Sequence, residues 1–372
     1  MEQKLMNLIA GVMCVFTVAL VTVLYVGQGS SVLARQQAKD DLGSILEMVA
    51  RQQDQLTKED PEALSHHLSL QIPAQVDPKE ISITQEDDLK RFQIKIPDIS
   101  TSYFYDYPMA GNCEGIVDLT YDESEYGGRM ELTCDGIYVM KKTVRKNRLY
   151  LDLYEPGKCF DAMFVVDAGH GGNDSGAMSG GVYEKDMNQA IVRKIKDTFD
   201  AKKAPEEKKD VSYVADQFSV YEQEGIGTIG VYYTRLSDRS VRLQDRAALA
   251  NRLPADLFLS VHINSTATGR TSTINGTAVM YQVSDKSKRS KEFSQLVLNK
   301  LLKNLGSNSK GLIAGDEIYI VRTAKMPVAL AEIGFITNED ERKKMLSDDY
   351  QQKCADAICQ SMEEYLQKIR KK

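Results

Sequence analysis

The spacing of hydrophobic residues changes several times along the chain, and each change marks a predicted boundary. From Leu8 to Val26 the residues are overwhelmingly apolar and none is charged. A helix of this length spans about 28 Å, which is close to the ~30 Å hydrocarbon core of a bilayer. The pattern predicts a transmembrane signal anchor within residues 1–30. A cleavable signal peptide ending near Val32-Leu33-Ala34 is the alternative.

A polar segment follows this apolar run. Apolar residues at helical spacing between Leu42 and Val49 indicate a helix, and prolines near the end of the segment break any longer one. Residues 31–80 are therefore predicted to form a polar helical stalk and linker. His66 and His67 are interpreted as surface residues, because two adjacent histidines do not easily face one metal ion.

The hydrophobic period becomes two between residues 81 and 158. Apolar and polar residues alternate from Phe92 to Ile96 and again from Leu149 to Leu153, and turn residues such as Tyr126-Gly127-Gly128 separate the runs. This pattern predicts a small all-β accessory domain that is sandwich-like. Its final run, Asn147 to Tyr154, resembles the last strand of AMIN-type cell-wall-targeting modules.

Short apolar strands alternate with amphipathic helices over residues 159–372. The predicted strands are Phe164–Val166, Ile229–Tyr233, Leu257–Val261 and Val328–Ala331. Such alternation is typical of an α/β domain, in which crossover helices flank a mostly parallel twisted sheet. Residues 201–227 are rich in Lys, Glu and Asp, and they are predicted to form an inserted surface segment.

The charges that flank the apolar run leave its orientation open. Lys4 precedes the run, whereas Arg35 and Lys39 follow it. The chain that follows the apolar run is much longer than the few residues that precede it, and this nevertheless favours export of the longer part. We therefore expect a single-pass protein of the cell membrane with residues 159–372 on the extracytoplasmic side.

Composition narrows the choice of partners. The net charge is −6, with 42% hydrophobic and 27% charged residues, which is ordinary for a globular protein. No long basic run is present, so we expect no nucleic-acid partner. The six cysteines form no CxxC pair. Cys113 and Cys134 could form a bridge if exported, and two buried thiols are the default interpretation.

Three side chains that could carry chemistry stand at the ends of predicted strands. They are His170, His262 and Glu332, and the carboxyl ends of strands in an open α/β sheet meet at one edge. Glu184, which follows a glycine-rich loop, can reach the same edge. Two histidines and one glutamate with an open fourth position make a catalytic zinc shell. Periodicity does not show which glutamate is the ligand and which transfers protons.

Several motifs occur in one order between Phe164 and Ile369, among them VVDAGHGGNDSGA, ADLFLSVHIN and MPVALAEIGFITNEDE. Together they resemble the zinc-dependent N-acetylmuramoyl-L-alanine amidases of the amidase-3 type. The resemblance implies a Zn²⁺ cofactor with the ligands His170, Glu184 and His262, and it implies that Glu332 is catalytic. Ala168 stands where this family commonly has proline.

The implied reaction is hydrolysis of the amide bond between the lactyl group of N-acetylmuramic acid and the L-alanine of the stem peptide in peptidoglycan. Two alternatives use the same residues: a peptidase acting within the stem peptide, and a non-catalytic wall-binding regulator or scaffold with a relic metal site. In some relatives an extra segment covers the active site until an activator protein displaces it. For residues 201–227 we favour an inert loop.

Four further residues of these motifs have structural interpretations, and two of them also have functional ones. Asp167 either orients a metal-bound histidine through its second nitrogen or caps the glycine turn. Asn264 either binds the substrate amide or forms a turn. Arg235 and Arg246 are interpreted as structural residues that hold loops by salt bridges.

Overall fold

The structure is a computed structural model that describes residues 62–85, 89–100, 103–107, 109–124, 127–202, 211–213 and 218–371. The predicted membrane anchor and most of the predicted stalk lie outside these residues. No helix in the described part of the chain combines the length and apolarity that crossing a bilayer requires.

The chain forms two compact units. Of the described residues, those up to 155 and residues 211–213 form the N-terminal unit, and residues 156–202 and 218–371 form the C-terminal unit. Residues 211–213 lie within the predicted insertion, and they belong to the N-terminal unit although the described chain on either side of them belongs to the other.

The elements up to residue 159 are mostly strands. Two short 3₁₀ helices cover Ala63–Ser65 and Pro78–Glu80. The strands and helices are β1 (Leu68–Gln71), β2 (Ser82–Gln85), β3 (Arg91–Ile96), α1 (Tyr103–Asp106), β4 (Ile116–Ser124), β5 (Gly127–Cys134), β6 (Val139–Arg145), β7 (Arg148–Tyr154) and α2 (Pro156–Cys159).

Strands and helices alternate in the rest of the chain. They are β8 (Ala162–Ala168), β9 (Met178–Ser179), β10 (Val182–Tyr183), α3 (Glu184–Asp200), β11 (Val211–Tyr213), β12 (Phe218–Gln223), β13 (Gly227–Tyr233), α4 (Leu243–Arg252), β14 (Leu257–Asn264), β15 (Thr277–Tyr281), α5 (Arg289–Leu305), β16 (Ser309–Ala314), α6 (Tyr319–Thr323), β17 (Val328–Phe335), α7 (Glu339–Met345) and α8 (Asp348–Arg370).

Two four-stranded antiparallel sheets make up the N-terminal unit, in the orders β1-β7-β6-β11 and β2-β3-β5-β4. Residues from both sheets, including Leu70, Phe92, Leu132 and Leu151, share one buried core. Strands in which apolar and polar residues alternate have one apolar face, so two such sheets can pack their apolar faces together over a common core. Strand β1 pairs with β7, although residues 31–80 were predicted to be stalk and linker. Its four residues are too few to show the period clearly.

His66 and His67, which the sequence analysis interprets as surface residues, are partly buried and paired with a carboxylate. Their Nδ1 atoms lie 2.8 and 3.2 Å from the two carboxylate oxygens of Asp152, and each side chain is only 19% exposed. The ring of His66 also packs against Tyr150, with 4.4 Å between centroids. Because Asp152 is far away in sequence, local spacing gave no sign of this cluster.

The C-terminal unit is built on a seven-stranded mixed sheet in the order β12-β13-β8-β14-β17-β15-β16. The four central strands from β13 to β17 are parallel to one another, whereas β12 and β15 pair antiparallel with their neighbours β13 and β17. Apolar residues of α3, α5 and α8 pack with the sheet in one core, as Ile191, Phe293 and Ile358 show. A sheet flanked by helices was correctly predicted, and the antiparallel strands were not.

Residues 201–227 were predicted to form an inserted surface segment, and the C-terminal part of that segment belongs to this sheet. Strand β12 pairs with β13 along its whole length. Phe218 and Tyr221 are buried, and the ring of Tyr221 stacks on that of Phe199 at 5.1 Å. The prediction of a surface segment is therefore wrong for β12, because its buried aromatic residues stand among charged ones that dominate the composition.

Replacing Tyr221 should test this assignment. We expect Tyr221→Ala to lower the free energy of unfolding of the C-terminal unit by about 3–5 kcal/mol, because it removes a buried aromatic side chain. Urea titration of the full chain measures the change. Glu222→Ala, on the exposed side of the same strand, is the control and should stay within about 0.5 kcal/mol of the parent. Equal effects of the two variants would contradict a buried edge strand.

Candidate metal centre and active site

Three parallel neighbours in the sheet bring the candidate residues to one edge. Strand β14 lies between β8 and β17, with Ser260 opposite Asp167 and His262 opposite Glu332. His170 follows the end of β8, and Glu184 begins α3. Parallel strands present their carboxyl ends together, so the topology itself assembles these side chains.

The side chains of His170, Glu184 and His262 converge. Oε1 of Glu184 lies 3.2 Å from Nε2 of His170 and 3.0 Å from Nδ1 of His262. One nitrogen or oxygen from each residue lies within 4.8 Å of the others. Two imidazole nitrogens and one carboxylate oxygen are a donor set that can hold a divalent metal ion.

The carboxylate of Glu184 is buried, with only 4% of the residue exposed. The backbone N–H of Ile263 donates to Oε1 at 3.0 Å, and that of Ala177 donates to Oε2 at 2.8 Å. Burial alone would raise the pKa of Glu184, but hydrogen bonds from the two histidines hold it well below its ordinary value. Glu184 is therefore ionised, as a metal ligand must be.

A second carboxylate fixes the ring of His170. Oδ2 of Asp174 lies 2.8 Å from Nδ1, and this bond leaves Nε2 facing Glu184. Burial lowers the pKa of His170, but the bonds to Glu184 and Asp174 outweigh it and raise the pKa to about 9. The sequence interpretation missed Asp174. An aspartate four residues after a histidine in a glycine-rich loop was the available signal.

Glu332 lies beside this cluster in a different environment. Its Oε2 is buried and has no hydrogen-bond partner among the described residues. Burial raises the pKa of Glu332 to about 7, although the nearby imidazole of His262 acts in the opposite direction. A carboxyl group that titrates near neutral pH can both accept and donate a proton.

The glycine-rich loop passes too close to the cluster for side chains. A Cβ on Gly169 would lie 2.3 Å from the imidazole of His262, and one on Gly176 would lie 2.6 Å from Oε2 of Glu184. Gly176 also has a positive φ of 62°, which favours glycine. These glycines let the loop pack directly against the candidate ligands.

Two buried arginines hold this loop. Arg246 pairs with Asp167 at 2.6 Å and also donates to the carbonyl oxygens of Ala168 and His170. Arg235 donates to the carbonyl oxygens of Ala168 and Gly169. Both arginines were predicted to hold loops by salt bridges, and these contacts agree with a structural role. Arg246 forms such a salt bridge, whereas Arg235 holds the loop through hydrogen bonds.

Asp167 fits neither of its two interpretations. Besides Arg246, its carboxylate accepts hydrogen bonds from the hydroxyl groups of Ser260 and Thr234. The side-chain oxygen of Asn264 accepts from the N–H of Ser265 at 2.7 Å, which is a turn-forming contact. Asp167 thus has a structural role in place of the role at the metal that its motif also permitted, and the contact of Asn264 agrees with the turn-forming interpretation.

The family model described as N-acetylmuramoyl-L-alanine amidase, Amidase_3, matches residues 164–223 and 206–364. The match includes all four candidate residues and more than half of the chain. The chain belongs to this amidase family. Members of the family hydrolyse an amide of peptidoglycan, and apart from residues 206–216 the match lies in the C-terminal unit.

Individual relatives match about half of the chain. The chain is 32% identical to the uncharacterized protein YqiI of Bacillus subtilis over 200 residues, which are 54% of this chain and 82% of the relative. It is 30% identical to the N-acetylmuramoyl-L-alanine amidase LytC of the same organism, over 52% of this chain but only 33% of LytC. The solved amidase structure from Clostridium difficile 630 has 29% identity and a TM-score of 0.45, covering 55% of this chain and 97% of that one.

The close approach of Gly169 makes a direct test possible. We expect Gly169→Ala to lower metal content and amidase activity at least tenfold, because the added methyl group occupies space held by the His262 ring. Elemental analysis and release of stem peptides measure the two effects. Gly157→Ala is the control, since a Cβ there meets nothing within 4 Å. Normal metal content in Gly169→Ala would contradict the clash.

The role of Asp174 can be tested separately. We expect Asp174→Ala to weaken metal affinity about 10- to 100-fold, the usual cost of losing a hydrogen bond that orients a ligating histidine. Competition with a chelator of known affinity measures the change. Asp349→Ala is matched, because Asp349 also pairs with a residue four positions away, Lys353 on α8. It should leave affinity unchanged, and an equal loss in both variants would contradict the proposed role.

Proposed function

We propose that the chain is a zinc-dependent amidase in which His170, Glu184 and His262 hold the metal and Glu332 is the catalytic acid and base. The observation that carries this proposal is the convergence of three ligand-type atoms within 4.8 Å beside a fourth residue with a buried, unpartnered oxygen. Three protein ligands of the His₂Glu type with one open position are characteristic of catalytic zinc.

When bound, zinc supplies Lewis-acid polarisation of the scissile carbonyl group and lowers the pKa of water to about 7. Glu332 takes a proton from the attacking water and later protonates the nitrogen of the departing alanine. Its raised pKa of about 7 makes both protonation states accessible near neutral pH. The arginine-held glycine loop keeps His170 and Glu184 in place while the amide is cleaved.

The N-terminal segments extend the proposal to the cell envelope. The anchor at Leu8–Val26, its export topology and its signal-peptide alternative all remain predictions from sequence. We propose that the anchored chain places the catalytic unit on the outer side of the membrane, where peptidoglycan lies. Strand β7 and the two antiparallel sheets support an accessory wall-targeting role for the N-terminal unit, of the AMIN type.

The roles of the two glutamates separate in variants. We expect Glu332→Gln to keep its zinc and lose about 10²- to 10⁴-fold in rate, because the amide cannot shuttle protons. His262→Ala should lose both zinc and activity. The assay is mass spectrometry of stem peptides released from purified sacculi, combined with metal analysis of each variant.

The products also distinguish the alternative functions. Free stem peptides that begin with an unblocked alanine support the amidase, whereas cleavage inside the stem supports a peptidase. A folded, zinc-loaded parent chain that releases nothing would favour the non-catalytic scaffold. A Glu332→Gln variant that cleaves as fast as the parent would refute the role given to Glu332.

A further inference from the structure

A groove of about 600 Å³ lies between the β9–β10 hairpin and the loop that follows β14. We call it the hairpin groove. Its lining residues are Met178, Ser179, Gly180 and Gly181 on the hairpin, and Gly269, Arg270 and Thr271 on the loop. The mechanism described above uses none of these side chains.

Both walls of the hairpin groove are attached to the active site. The hairpin ends immediately before Glu184, whose N–H donates to the carbonyl oxygen of Ala177 at 2.9 Å. The opposite loop follows the strand of His262, and Ser272 in that loop donates to the carbonyl oxygen of Thr337, just beyond the strand of Glu332. Two residues of extended chain, Val182 and Tyr183, separate the hairpin turn from Glu184, so Gly181 and Glu184 are at most about 10 Å apart along the chain.

The groove combines an open floor with one positive charge. A Cβ atom added at Gly181 or Gly269 would meet nothing within 4 Å, so the space beside these glycines is open. The backbone of a bound peptide can therefore approach the glycine backbone closely. Arg270 carries the only charged side chain among the lining residues, and it is exposed. Within the described ranges its guanidinium makes no hydrogen bond or ion pair. Arg342, by contrast, already donates to Ser179 and to the carbonyl oxygen of Ile336.

We propose that the hairpin groove binds the stem peptide of peptidoglycan and that Arg270 pairs with a carboxylate of its acidic residue. This inference rests on the proposed function. Guanidinium groups bind carboxylates through two parallel hydrogen bonds. A peptide carboxylate two or three residues from the scissile amide lies roughly 10 Å from it, which is about the length of extended chain between Glu184 and the hairpin wall of the groove. The neutral sugars of the glycan offer no such counter-charge. Arg270 would thus determine specificity for acidic stems.

Paired ligands provide the test. Two muropeptides that differ only in the second stem residue are used, one with a free α-carboxylate and one with that group amidated. Binding to the full chain is measured by calorimetry in the Glu332→Gln background, so that no turnover occurs. We expect Arg270→Ala to weaken binding of the free acid roughly tenfold, the equivalent of one lost charge-assisted bond. Binding of the amidated ligand should change less than about twofold, and Arg270→Lys should recover part of the loss.

Two controls define where the effect arises. Arg252→Ala removes an exposed arginine at the end of α4, just before the amino end of β14, and it should leave both affinities unchanged. A glycan oligomer without stem peptides should bind the parent and Arg270→Ala equally. Weaker binding of that oligomer to Arg270→Ala would overturn the inference in favour of a glycan site.

Cleavage kinetics measured with Glu332 intact distinguish a failure of this inference from a failure of the proposed function. Arg270→Ala should raise KM for the free-acid substrate roughly tenfold with little change in kcat. If the parent cleaves both substrates and Arg270→Ala affects them equally or not at all, the inference is wrong while the amidase stands. If the parent binds the free acid through Arg270 but cleaves nothing, the inference stands and the proposed function is wrong. Failure to bind either muropeptide overturns the inference.

Discussion

The buried carboxylate of Glu184 is the constraint on which the rest of the C-terminal unit depends. An ionised carboxylate costs several kcal/mol to bury unless partners compensate its charge. Backbone N–H groups of Ile263 and Ala177 and the imidazoles of His170 and His262 provide that compensation. These partners come from three separate segments, so the charge at Glu184 holds β8, α3 and β14 in one arrangement. A divalent cation bound there would complete the same compensation.

The glycine loop can approach this carboxylate only because other residues hold its backbone. Gly169 and Gly176 leave no room for a Cβ, and backbone without side chains has little packing of its own to fix it. Arg246 and Arg235 replace that packing by donating to loop carbonyl oxygens. The buried Asp167 in turn neutralises Arg246. Asp167, Arg235 and Arg246 belong to the family motifs, but they are buried. They hold the backbone of the loop in place and are not placed to contact substrate.

The sequence predicted those features that follow from local periodicity. Parallel strands end at one edge, so the placement of His262 and Glu332 followed from their positions at strand ends. Features that depend on distant partners were missed. The bond of His66 to Asp152 joins residues far apart in sequence, and β12 was hidden because charged residues surround Phe218 and Tyr221. Strand β15 has an ordinary apolar pattern, and no local signal shows that it runs antiparallel to β17.

Periodicity alone did not distinguish the two glutamates, because they are the same residue type at the same edge, and only the family resemblance assigned their roles. Their environments separate them. Glu184 receives two backbone N–H groups and faces two imidazoles, and these bonds hold its pKa low in spite of burial. Glu332 has an oxygen that no described residue reaches, and burial raises its pKa to about 7. Carboxyl groups whose pKa values are pushed apart in this way take different roles. The environments therefore support Glu184 as the permanent anion that binds metal and Glu332 as the group that exchanges protons.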